Sequence, residues 1–154
     1  MKLMTRRQFL TGSALAGAGG LGGIGYVRLF EPRWLQVARH QVPLSGTAVD
    51  RPVTLLQLSD FHASPVVSLD YIDRAVRLGL AQNPDLICLT GDYFTWTLEK
   101  TDQDRYARIL AQLSRGARTF ACLGNHDGGR WAGSSHGYKE TMIVRQLLSD
   151  AGVT

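Results

Sequence analysis

The sequence predicts an α/β fold, and three observations carry that reading. Nearly continuous apolar runs recur at Val53–Ser59, Leu86–Thr90 and Thr119–Leu123. Short unbroken runs of this kind are expected of strands buried on both faces. Between and after them lie stretches whose apolar residues recur at helical spacing. Each apolar run also stops at a cluster of polar side chains able to bind metal. A strand-helix order repeated three times implies right-handed crossovers and a parallel sheet.

The chain has 154 residues, room for one domain at most. Its 44% apolar and 19% charged content are those of a globular protein. The formal charge of +4 is unevenly spread. Lys2, Arg6, Arg7 and Arg28 lie in the first thirty residues, which hold no acid. All 13 acidic residues come from Glu31 onward, against the 13 remaining basic ones. The body is near neutral and carries no electrostatic footprint for nucleic acid.

Residues 1–30 stand apart from the fold. Thr5-Arg6-Arg7-Gln8-Phe9-Leu10 precedes an apolar run reaching about Val27. This resembles a twin-arginine (Tat) export signal. The run is about long enough to span a bilayer, but seven glycines from Gly12 to Gly25 weaken its helicity and hydrophobicity. Ala14-Leu15-Ala16 has a small-x-small form inside the run, so an uncleaved leader serving as a membrane anchor stays open. The expected location is extracytoplasmic, with the Tat machinery as a partner.

Residues 31–50 read as a connecting stretch. Trp34 to Val42 alternates as an edge strand does, with His40 exposed on it, and Pro43, Ser45 and Gly46 mark a turn. A helix is expected over 68–82, capped by Ser68, with Asp70 in its first turn and Ile72, Ala75, Val76 and Gly79 facing inward. Asn83-Pro84 ends it. Thr101-Asp102-Gln103-Asp104 has a capping-box form and opens a second helix. Its inward stripe is Tyr106, Ile109, Leu110 and Leu113, and Gly116 stops it. A loop rich in glycine and serine is expected over 128–137. A third helix is expected over about 138–150, with Met142, Ile143, Leu147 and Leu148 inward and Gly152 at its end. A fourth strand is expected to begin at Val153-Thr154.

In a parallel sheet all strand carboxyl ends lie on one edge, and ligands bind there. Asp60, Asp92 and Asn125 each follow a strand end, so topology gathers them, with His62, His126 and Asp127 alongside. Oxygen and imidazole donors without thiolate suit Mn, Fe, Zn or Mg. A metal pair sharing one carboxylate activates water near neutral pH and clamps phosphoryl oxygens. A neighbouring histidine can protonate the leaving oxygen.

Asp60-Phe61-His62, Gly91-Asp92 and Gly124-Asn125-His126-Asp127 resemble the first three motifs of the calcineurin-like metallophosphoesterases, about thirty residues apart. With the leader ahead of them, they are similar to the exported bacterial branch. The resemblance implies a β-sandwich flanked by helices, of which this chain holds the first βαβαβα half. It implies two divalent metal ions, with Asp60 and His62 on the first, Asp92 bridging and Asn125 on the second. His126 would be the catalytic histidine and Asp127 would orient it. The implied activity is hydrolysis of a small-molecule or lipid-linked phosphoester, whether phosphomonoester, phosphodiester or pyrophosphate, by a metal-bridging hydroxide.

The family's later lone histidine and closing G-H-x-H have no match here. The chain therefore reads as an N-terminal portion, with an inactive remnant serving as a metal-binding or interaction module as the alternative. His136 reads as a loop histidine rather than a ligand. Cys88 and Cys122 read as buried free thiols, with a disulfide possible after export. Tyr93, Trp96 and Trp131 follow the motifs, either walling a cleft, meeting a lipid tail or packing on further structure.

Overall fold

The computed structural model describes residues 34–43 and 51–154. The twin-arginine leader and the turn at Ser45-Gly46 lie outside the described residues. The chain divides into two units, Met1–Gln36 and Val37–Thr154, and the sheet with its helices belongs to the second. Among the described residues no helix is long and apolar enough to cross a membrane.

Three short strands form the sheet: β1 (Leu55–Leu58), β2 (Leu86–Leu89) and β3 (Arg118–Ala121). They lie in the order β1-β2-β3 and every pairing is parallel. Leu56, Ile87 and Thr119 share one register row, and Leu58, Leu89 and Ala121 share another. Successive side chains on a strand point to opposite faces, so these two rows form one face of the sheet. That face joins the core: Ile87 and Leu89 are fully buried, and Leu56, Leu58 and Ala121 pack against the core cluster.

Helices α1 (Leu69–Leu80), α2 (Lys100–Gly116) and α4 (Met142–Asp150) bury their apolar stripes in the same core. Each fully buried leucine, isoleucine or valine contributes about 1.5–3 kcal/mol through removal from water. Ser68 caps α1 by accepting the amide of Tyr71, as its sequence requires. Gly79 lets α1 press onto β1, since a Cβ there would stand 2.8 Å from Leu56 Cδ2. Tyr106, Ile109, Leu110 and Leu113 are the buried stripe of α2. Gly152 ends the last helical turn at φ 66°, a left-handed conformation suited to glycine.

The opposite sheet face carries Leu55, Gln57, Cys88, Arg118 and Phe120 and is largely uncovered among the described residues. This corrects the expectation that the first strand is buried on both faces. β1 alternates exposed and half-buried residues because the described helices cover one side only. Cys88 is therefore half-buried and Cys122 exposed; both are free, but neither is the buried thiol expected.

Four further expectations change. Residues 34–43 form no strand, and Trp34, Val37 and Val42 stay exposed. The capping box does not form: Glu99 is the N-cap of α2 without a side-chain bond. Gln103 donates to Leu98 O at 2.8 Å and Tyr138 Oη at 2.9 Å, tying the helix to the segment before α4. The expected loop contains a short helix, α3 (Gly129–Ser134), stabilised by the full burial of Ala132. The last helix begins at Met142, which is 74% exposed, and turns Val144 inward with Leu147 and Leu148.

Thr154 donates to Thr119 O at 3.2 Å and accepts from the Ala121 amide at 2.9 Å. That alternation is the bond pattern of a parallel ladder and supports a strand beginning beside β3.

Candidate metal centre

The ladder does not stop where the strands do. The Asp60 amide donates to Gly91 O, His62 to Asp92 O and Ala63 to Tyr93 O. The first two motifs therefore run side by side beyond β1 and β2. Between the ligand positions, apolar side chains turn into the core. Phe61 stacks on Tyr93 with centroids 5.7 Å apart, and Tyr106 meets Phe61 and Phe94 edge-on. These rings anchor the loops from below and leave their polar neighbours on the upper edge. Tyr93 is thus a core residue, which corrects the expectation that it walls a cleft, meets a lipid tail or packs on further structure.

Asp60, His62 and Asp92 have φ of 54°, 46° and 58°. Residues with a Cβ enter this left-handed region at about 1–3 kcal/mol each, and such strain gathers at ligand-binding sites. Gly91 and Gly124 meet back to back. A Cβ on Gly91 would lie 2.4 Å from Gly124 N, and one on Gly124 would lie 2.2 Å from Asp92 Oδ1. Both motifs need glycine because two backbones touch there.

The result is a convergent donor set. One ligand atom each from Asp60, His62 and Asp92 lies within 4.8 Å of the others. His62 Nε2 stands 3.7 Å from Asp60 Oδ1 and 3.8 Å from Asp92 Oδ2, beyond direct hydrogen bonding. Two carboxylates and an imidazole held at this spacing fit a divalent cation between them. The His62 Nδ1 faces Thr95 Oγ1 at 2.5 Å. Asp92 Oδ1 accepts the His126 amide at 2.9 Å, which ties the second motif to the third.

The His126 ring lies edge-on to the His62 ring, 4.9 Å between centroids. Its Nε2 accepts from Trp131 Nε1 at 3.3 Å, and its Nδ1 is buried with no hydrogen-bond partner among the described residues. Asn125 lies in the same turn, between Gly124 and His126.

Asp127 departs from expectation. It is fully buried, and its carboxylate accepts the amides of Asp92, Gly124 and Tyr93, each at 2.7 Å. Both oxygens are committed to backbone donors rather than to the His126 ring. Asp127 joins the second and third motifs instead of orienting the histidine. His136 stacks on Trp96 with centroids 4.5 Å apart, in keeping with a loop histidine. Thr95 was missed from sequence because a lone threonine carries no spacing signal.

A model of the family described as calcineurin-like phosphoesterase matches residues 53–150, well over half of the chain. The chain belongs to that family. It is 34% identical over 152 residues to Phosphodiesterase YaeI of Escherichia coli (strain K12), covering 99% of this chain and 53% of that protein. It is 31% identical over 161 residues to the Uncharacterized metallophosphoesterase YkuE of Bacillus subtilis (strain 168), covering 100% of this chain and 53% of that protein. A shorter likeness, 30% over 73 residues, links it to UDP-2,3-diacylglucosamine pyrophosphatase LpxG of Chlamydia trachomatis, covering 47% of this chain and 22% of that protein. The chain spans about half the length of the first two relatives. The parallel sheet and its helices are those of a partial calcineurin-like phosphoesterase fold.

Proposed function

We propose that this chain carries the metal-binding part of a phosphoester hydrolase that uses two divalent ions. The observation that supports this most is the convergence of Asp60, His62 and Asp92 at one sheet edge, with the His126 ring beside them. Asp60, His62 and Asp92 would hold the first ion, and Asp92 and Asn125 would hold the second. Bound there, divalent ions supply Lewis-acid activation of water and neutralise phosphoryl charge. Once protonated, His126 Nε2 would supply the proton that passes to the leaving oxygen. In this structure that nitrogen accepts Trp131 Nε1–H, a bond it must give up to take the proton. Asp127 keeps the two motif loops in register by binding their amides.

The substrate in this reading is a small-molecule or lipid-linked phosphoester. The similarity to a phosphodiesterase favours a diester. The arginine pair in the leader supports export by the twin-arginine route, which would place the site outside the cytoplasm.

The test is release of nitrophenolate from bis(4-nitrophenyl) phosphate by the chain with added Mn²⁺. Hydrolysis above buffer is expected, lost in Asp92→Asn and reduced about 10²–10⁴-fold in kcat by His126→Asn. Mn²⁺ binding without turnover would favour a metal-binding module instead. Turnover that survives both substitutions would refute the assignment.

A further inference from the structure

We propose that Thr95 is a positioning residue for the metal centre, fixing the His62 ring so that Nε2 is presented to the cation. The inference rests on the metal reading of Asp60, His62 and Asp92 and adds a residue outside the three motifs.

An imidazole is rigid, so holding one ring nitrogen aims the other. His62 Nδ1 lies 2.5 Å from Thr95 Oγ1. The remaining nitrogen, Nε2, faces one oxygen of Asp60 and one of Asp92 at nearly equal distances, 3.7 and 3.8 Å. A cation there requires the lone pair of Nε2, which leaves the ring proton on Nδ1, donated to Thr95 Oγ1. Metal-bound histidines commonly give their second N–H to such a partner, which fixes tautomer and ring orientation and raises ligand basicity.

The backbone places Thr95 for this task. Ala63 and Phe94 form an isolated parallel bridge beyond β1 and β2. The Ala63 amide donates to Tyr93 O at 3.0 Å, and the Thr95 amide donates to Ala63 O at 3.3 Å. His62 and Thr95 are thus held on adjacent chain segments by the ladder that also carries Asp60 and Asp92. Phe94, fully buried and next to Thr95 in sequence, pins the segment to the core. His62 has φ of 46°, so its ring direction is set against the ordinary backbone preference and gains from a second anchor.

The experiment is calorimetric titration of the full chain with Zn²⁺, comparing wild type, Thr95→Val and Thr95→Ser. Valine keeps the shape of threonine and removes the hydroxyl. Thr95→Val is expected to weaken affinity about 10- to 100-fold, the usual range for losing such a partner. Thr95→Ser, which keeps the hydroxyl, is expected to bind as wild type does. In the Zn²⁺-loaded protein the His62 Nδ1–H proton should be slowly exchanging in wild type and Thr95→Ser, and lost from the NMR spectrum in Thr95→Val. Equal affinity and an unchanged Nδ1–H signal in the valine variant would overturn the role of Thr95 while leaving the metal site standing. A wild-type chain that binds no Zn²⁺ would overturn both.

Discussion

The Asp127 Oδ2 atom lies 2.7 Å from the amide nitrogen of Asp92, thirty-five positions earlier in the chain. The same oxygen accepts the Gly124 amide, and Oδ1 accepts the Tyr93 amide. One buried carboxylate therefore satisfies three backbone donors from two motif loops. Removing it leaves those donors unpaired at about 1–3 kcal/mol each. Asp127→Ala is expected to lower unfolding free energy by at least about 3 kcal/mol in urea titrations. Asp127→Asn should fall between, because its amide nitrogen meets at least one N–H. Unchanged stability in both variants would contradict this role.

The contact between Gly91 and Gly124 makes a second prediction. Gly91 has φ of 93°, and a side chain there would meet backbone rather than a movable group. Gly91→Ala should separate the second and third motifs, lowering both the thermal midpoint and the affinity for Mn²⁺. Wild-type affinity in this variant would show that the two loops need not touch.

Alkaline pH should reveal the aromatic layer beneath the site. Burial, then the charge of Asp127, pushes the Tyr93 hydroxyl well above its ordinary range. Burial acts likewise on Tyr106, whose hydroxyl donates to Tyr93 O at 3.3 Å. The fold thus holds two neutral phenols that ionise near pH ~10 when unfolded. A pKa raised in the folded state gives stability that is full below the unfolded value. It is lost as pH rises from there toward the folded value. Phenolate absorbance for these two groups should appear only with loss of circular dichroism. Phenolate formation by both in a chain that stays folded would contradict their burial.

How much of this was legible in the sequence depends on the kind of signal. Leu86–Leu89 and the stripe Tyr106, Ile109, Leu110 and Leu113 follow local periodicity, and both appear where the pattern puts them. The convergence of Asp60 and Asp92 was readable because a parallel sheet brings strand ends together. Side-chain destinations were less so. Asp127 and Tyr93 sit beside the ligands in sequence, yet both turn into the core, and only the packing decides that. The α3 helix was hidden by its glycines and serines, whose composition signals a loop. Gln103 reaches Tyr138, a partner thirty-five residues away that no local pattern announces.

Asp60, His62 and Asp92 together are expected to bind one divalent ion, and anomalous diffraction from crystals grown with Mn²⁺ would locate it. A manganese peak bounded by those three side chains is the predicted result, absent in crystals of Asp92→Asn. A peak elsewhere, or none at this sheet edge in the wild type, would contradict it.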